Sequence, residues 1–261
     1  MADAARYSDP YLAACRPVPA RGPGVCPVCR SGLPPGYRLC HSCALTTSQV
    51  SCPTRHIVPV SLYQSPGPLG RLLRGYKDGP AAARGMRTVQ VAAILGRFAA
   101  RHLPCLAGVL GGGPDVITTV PTTRRTRPGP HPLQAAVTAV TPLAALHQPL
   151  LAPGPGRPAH NQAGDSTFLV RRPLAGQRVL LIDDTFTTGA RLQSAASALR
   201  LAGASAVAGL TVGRVIWPGR NENCRRIWER AGAAPFSFAG CCLCRDAGWC
   251  GGRHEPPAAG N

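Results

Sequence analysis

Val179-Leu180-Leu181-Ile182-Asp183-Asp184-Thr185-Phe186-Thr187-Thr188-Gly189 decides how this chain folds. Four apolar residues run without alternation into two acids and then into a small, hydroxyl-rich loop. An unbroken apolar run suits a parallel strand covered on both faces, and both carboxylates then stand at its carboxyl end. From Ala190 to Ala202, Leu192, Ala195, Ala196 and Leu199 recur at helical spacing, and Gly203 follows as a cap. Ala206 to Val212 reads as the next apolar strand. The unit is therefore βαβ, with its loop at the helix N-terminus, where outward N–H groups favour an anion.

Other nucleotide folds also begin with such a strand, and the remainder of the sequence separates them. A Walker B strand would need a partner G-x-x-x-x-G-K-[ST] loop, yet the single lysine, Lys77, is followed by Asp78. No strand leads into G-x-G-x-x-G, because Gly111-Gly112-Gly113 precedes Pro114 and a strand. Apolar strand, Asp-Asp and Thr-x-Thr-Thr-Gly together resemble the phosphoribosyl pyrophosphate motif of type I phosphoribosyltransferases.

Working outward, 261 residues with 44% apolar content suffice for one medium α/β domain with small additions. No apolar stretch of about 18 residues and no charged-then-apolar leader are present, so the expectation is a cytoplasmic chain without a membrane span. A formal charge of +18 makes polyanions, single-stranded DNA among them, candidate partners, although the charge is spread over short clusters that also suit a solvated basic surface.

Residues 1–23 are rich in Ala, Pro and Gly without periodicity and read as a flexible tail. A module over 24–56 follows. Cys26-Pro27-Val28-Cys29 and Cys40-His41-Ser42-Cys43 are two C-x-x-C pairs joined by a Gly/Pro turn, the spacing of a four-cysteine structural zinc site with Cys52 as a competing thiol. Leu69, Leu72, Leu73 and Tyr76 mark a helix ending at Lys77-Asp78-Gly79. Lys77 is either a phosphate contact or a lone surface lysine. A second helix is expected over roughly 84–103, a strand over 115–121, and a third helix from Leu133 to Ala144. Arg124 and Arg125 leave that strand's carboxyl end, where an oxyanion such as pyrophosphate would bind. Residues 152–167 are polar and aperiodic, either a lid or a passive connector. The Cys-rich extension 217–261 offers Cys241, Cys244, Cys250 and His254 as a possible second metal set, while Cys105 reads as a small core residue.

Three features coincide: the double C-x-x-C module, the Leu-x-x-Leu-Leu-x-x-Tyr-Lys-Asp-Gly helix end, and Ile-Asp-Asp-Thr-Phe-Thr-Thr-Gly. Together they resemble the ComF family of competence-associated, phosphoribosyltransferase-like proteins. The resemblance implies a type I phosphoribosyltransferase fold over 57–216 with a five-stranded parallel core and hood, carrying an N-terminal zinc-ribbon-like module. It also implies phosphoribosyl pyrophosphate bound with Mg²⁺, transfer of phosphoribose to an acceptor, and a setting in DNA uptake. Asp183 and Asp184 would meet the ribose hydroxyls and stabilise positive charge on the sugar. Thr185, Phe186, Thr187, Thr188 and Gly189 would hold the 5′-phosphate, and Arg124, Arg125 and Lys77 the pyrophosphate. Cys26, Cys29, Cys40 and Cys43 would hold Zn²⁺. Where the family has Arg-Gly-Phe-Asn-Gln, this chain has Arg127-Pro128-Gly129-Pro130-His131. The other reading is a non-catalytic phosphoribose- or single-stranded-DNA-binding module.

Overall fold

The computed structural model describes residues 2–122, 131–156 and 161–248. Its strands are β1 (Ile57–Tyr63), β2 (Val116–Thr119), β3 (Leu151–Pro153), β4 (Phe168–Val170), β5 (Arg178–Phe186) and β6 (Ala206–Val215). Its α-helices are α1 (Ala2–Ser8), α2 (His41–Ser48), α3 (Pro68–Asp78), α4 (Ala81–Leu110), α5 (Pro132–Thr138), α6 (Thr141–Ala144), α7 (Ala190–Leu201), α8 (Glu222–Gly232) and α9 (Cys242–Asp246). Four strands form one sheet in the order β1-β6-β5-β2, with every neighbouring pair parallel. The two short strands β3 and β4 make a separate antiparallel pair.

The apolar run of β5 is buried on both faces because successive side chains alternate across the pleat. Leu180 and Ile182 join Leu69, Leu72 and Tyr76 of α3 and Ile94, Leu95 and Phe98 of α4 in one apolar cluster. Val179 and Leu181 join Leu192, Ala195 and Leu199 of α7 in the other. The chain is thus an α/β protein with a parallel four-stranded sheet flanked by helices. Its two acids sit where the central strand β5 leaves the core, and β5 runs on to Phe186 because Thr185 and Phe186 still pair with Gly213 and Arg214 of β6.

Several elements differ from the sequence expectation for identifiable reasons. In place of the expected fifth core strand, the described residues show an isolated parallel bridge beside β2, with Ile117 N–H donating to Leu146 O and Gln148 N–H to Ile117 O, both at 2.9 Å. Pro149 follows at once and has no N–H to continue the ladder. The third helix is split into α5 and α6, the second of which restarts with Pro142 in its first turn. In contrast, α4 continues through Pro104 to a left-handed Gly111, since His102, Cys105, Leu106 and Leu110 are buried and hold the extra turns. By length and composition α4 would reach across a membrane, and half of its most apolar window is buried inside the protein.

The segment read as a flexible tail is also ordered by tertiary contacts that composition does not reveal. After α1, a 3₁₀ turn (Asp9–Ala14) brings Tyr11 Oη to Gln90 Oε1 at 2.9 Å. Cys15 is buried, and Leu62 N–H of β1 donates to Arg16 O at 3.0 Å.

Candidate functional site

At the carboxyl ends of β5 and β6 lies a cavity of about 580 Å³. Its floor is Asp183, Asp184 and Thr185, and one wall is Thr187, Thr188, Gly189 and the first turn of α7. The opposite wall is Gly70, Leu73, Arg74, Lys77 and Asp78 of α3, with Tyr63, Val215 and Trp217 completing the rim. The two sequence stretches singled out above, 69–79 and 179–189, therefore face each other across one space.

Side-chain alternation divides the acids. Asp184, 1% exposed, turns toward α3, where the Tyr76 hydroxyl donates to it and the Lys77 ammonium pairs with it. Asp183, on the opposite side of the pleat, accepts the Asp184 N–H at 2.9 Å. Burial, helped by the neighbouring Asp184 carboxylate, pushes Asp183 up to about 6 against the pull of Arg191 and Lys77. Burial acts on Asp184 in the same direction, but the Lys77 charge and the Lys77 and Tyr76 hydrogen bonds override it and hold this carboxyl below the ordinary range. Two adjacent carboxyls thus differ in proton affinity, one poised to change charge and one fixed as an anion.

Gly189 shapes the loop. Its φ of +86° lies in the left-handed region, and a Cβ there would stand 2.3 Å from Cζ of Phe186. The loop carbonyls are held from behind by Arg214, a strand residue 1% exposed, whose Nη1 donates to Phe186 O at 3.2 Å, to Thr187 O at 3.0 Å and to Val215 O. The same guanidinium covers the Phe186 ring and approaches Cys29 Sγ at 3.4 Å through Nη2. Neither Arg214 nor Arg191 belongs to a motif legible in the sequence. The available signal for Arg214 was a single charge inside the apolar run 206–215, which a buried strand tolerates only with partners.

Cys29 belongs to a group of four. The sulfurs of Cys26, Cys29, Cys40 and Cys43 are buried and lie within 4.8 Å of one another, so they could hold a metal ion. The first pair sits in a tight turn closed by Cys26 N–H to Ser31 O (2.7 Å) and Arg30 N–H to Cys26 O (2.9 Å), while Cys43 rides in the first turn of α2. Cys52 is not in the group and turns its N–H to Ser197 Oγ instead.

The C-terminal set expected from Cys241, Cys244, Cys250 and His254 is described only in part. Cys241 and Cys244 meet His102 and Cys105 of α4, again with all ligand atoms within 4.8 Å. Cys105 is a buried core residue, as expected, and its sulfur also joins this group, while Cys250 and His254 lie outside the described residues. Spacing along the chain cannot reveal partners that are brought together by folding.

Arg124 and Arg125 also lie outside the described residues. Of the expected lid, none of its described residues lines the cavity. Asp165 instead accepts from Ser197 Oγ of α7 at 2.6 Å and from Ser51 Oγ at 2.6 Å, so this part serves as a connector docked on α7. Compared with protein-family models and with curated proteins, the chain matches none.

Proposed function

We propose that the cavity binds phosphoribosyl pyrophosphate with Mg²⁺ and that the protein is a ComF-like phosphoribosyltransferase of type I fold. The observation that carries this is the convergence of the Leu-x-x-Leu-Leu-x-x-Tyr-Lys-Asp-Gly helix end and the Asp-Asp-Thr-x-Thr-Thr-Gly strand exit on one space. A phosphate at 187–189 would meet the Thr187 and Thr188 hydroxyls and the N–H groups opening α7. The ribose hydroxyls would then donate to Asp183 and Asp184. Lys77, which pairs with Asp184 across the cavity, would turn to the pyrophosphate once sugar hydroxyls replace it.

Transfer breaks the bond from ribose C1 to the pyrophosphate oxygen, the electron pair leaving with pyrophosphate, while an acceptor lone pair forms the new bond to C1. Positive charge develops on the sugar, and the two carboxylates beside it stabilise that charge. Mg²⁺, a hard cation that takes phosphate oxygens and keeps water, supplies charge neutralisation at the leaving group when bound. The four N-terminal thiolates fit zinc, and with no open position such a zinc is structural.

Titration calorimetry with phosphoribosyl pyrophosphate and Mg²⁺ tests the site. The double change Asp183→Asn, Asp184→Asn should abolish the binding heat. Unchanged affinity would overturn the assignment. Pyrophosphate release in an acceptor screen then separates transfer from binding alone.

A further inference from the structure

We infer that His102, Cys105, Cys241 and Cys244 form a second zinc site, which fastens the C-terminal segment to α4 and, through α9, to the first cysteine cluster. This inference does not depend on what the cavity binds.

Half of the site is helical. His102 and Cys105 stand one turn apart on α4, close enough for one ion. His102 is fully buried, and its Nε2 lies 2.9 Å from Phe238 O. A carbonyl only accepts, so Nε2 carries the proton and Nδ1 keeps its lone pair. Nδ1 lies 3.7 Å from Cys105 Sγ, on the side of the cysteines. An imidazole whose outer N–H is held by a carbonyl is oriented as a metal ligand.

The other half is a knuckle. Cys241 N–H points at Cys244 Sγ at 3.0 Å, and Cys244 N–H at Cys241 Sγ at 3.4 Å. These two backbone donors hold both sulfurs on the inner side of one turn, facing His102 and Cys105. Tetrahedral zinc with bonds of about 2.3 Å sets sulfurs about 3.8 Å apart. The observed upper limit of 4.8 Å closes onto an ion with small side-chain movement. Three sulfurs and one imidazole are a zinc donor set, and their burial leaves no open coordination position.

The segment served needs such a fastening. Helix α9 has five residues, too few to persist alone, and the segment before it is anchored by the buried aromatic pair Phe236 and Phe238. Its far end reaches the first cluster. Asp246 accepts from Arg30 Nη1 at 2.8 Å and Nη2 at 2.6 Å, and Arg30 is the buried, left-handed residue directly after Cys29. Helix α9 is thus a strut between two cysteine clusters.

Zinc content of the full chain, purified in reductant, should be two per chain. Cys241→Ser with Cys244→Ser should lower it to one, as should His102→Asn with Cys105→Ser. Cys250→Ser with His254→Gln should leave two. If ligand variants fail to fold, cadmium NMR of the wild-type chain decides alone, with two resonances expected, one from an all-sulfur and one from a mixed site. One zinc per wild-type chain, a single cadmium resonance, or loss of the second ion only in the Cys250/His254 variant overturns the inference.

Discussion

Arg214→Met removes a guanidinium that three backbone carbonyls and a cysteine sulfur share in the core. Each carbonyl left without a donor in a dry site costs about 1–3 kcal/mol. Removing one partner of a buried charge pair costs about 3–5 kcal/mol, a figure that overlaps the first because the same group serves both. A loss of about 4 kcal/mol is therefore expected, and at about 2–4 °C per kcal/mol for a chain of this size the Tm should fall by about 8–16 °C. Two further readouts separate this from ordinary core damage. Metal should leave the first cluster faster under a chelator, because its thiolate charge has lost a counter-ion. Affinity for phosphoribosyl pyrophosphate should also fall, although Arg214 is not among the residues lining the cavity. Arg214→Lys, which keeps the charge but not the planar fork, should recover metal retention more than loop order. A Tm within about 2 °C of wild type, together with unchanged metal release, would refute the reasoning.

A raised carboxyl pKa favours the protonated folded state. The stabilising share of Asp183 is thus complete below the ordinary carboxylate range and fades as pH rises through about 6, while ligand binding, which needs the carboxylate, strengthens over the same window. Calorimetric affinity should rise from about pH 5 to about pH 7, and Asp183→Asn, which reports the ligand's own titration, should lose the excess. Gly189→Ala forces a Cβ into Phe186 at a left-handed position. It should weaken phosphate binding at least tenfold, about 1.4 kcal/mol, with zinc content unchanged in the same sample. Lys77→Met strips Asp184 of its cation. The Asp184 carboxyl should titrate higher by NMR, and ligand affinity should drop most for pyrophosphate-bearing ligands.

The apolar run, the acids and the small loop at 179–189 carried the sheet's centre and the cavity floor, because a both-faces-buried strand and a glycine with positive φ are each written in local residue types. The same holds for α3, whose Leu69, Leu72, Leu73 and Tyr76 stripe announces its inward face. What stayed hidden was non-local. Arg191 and Arg214 look like two more of many arginines until folding sets them beside carboxylates, carbonyls and sulfur. His102 and Cys105 precede their partners by well over a hundred residues, so no spacing rule joins them to Cys241 and Cys244. Residues 2–15 have no period to read, yet Tyr11 packs against the core and Cys15 is buried in it.

Two buried arginines end on the same cysteine turn, and that fixes an order of dependence between the parts. Arg214 joins Cys29 to the 187–189 loop, and Arg30, next in sequence to Cys29, joins the turn to Asp246 of α9. Gly32 in that turn lies so close to α8 that a Cβ would stand 2.3 Å from Cys224 N. Opening the first cluster therefore disturbs both the cavity loop and the C-terminal strut. Opening the second cluster frees the strut, since Cys241 and Cys244 flank the start of α9, whereas the loop is tied to the first cluster through Arg214 and Cys29. Hydrogen exchange should follow this asymmetry: Cys26→Ser with Cys29→Ser should speed exchange over 186–191 and over 222–246, whereas Cys241→Ser with Cys244→Ser should speed it over 236–246 alone. Equal acceleration of the loop by both pairs would mean that the clusters act on the cavity through general loosening of the core, and the link through Arg214 would then fail.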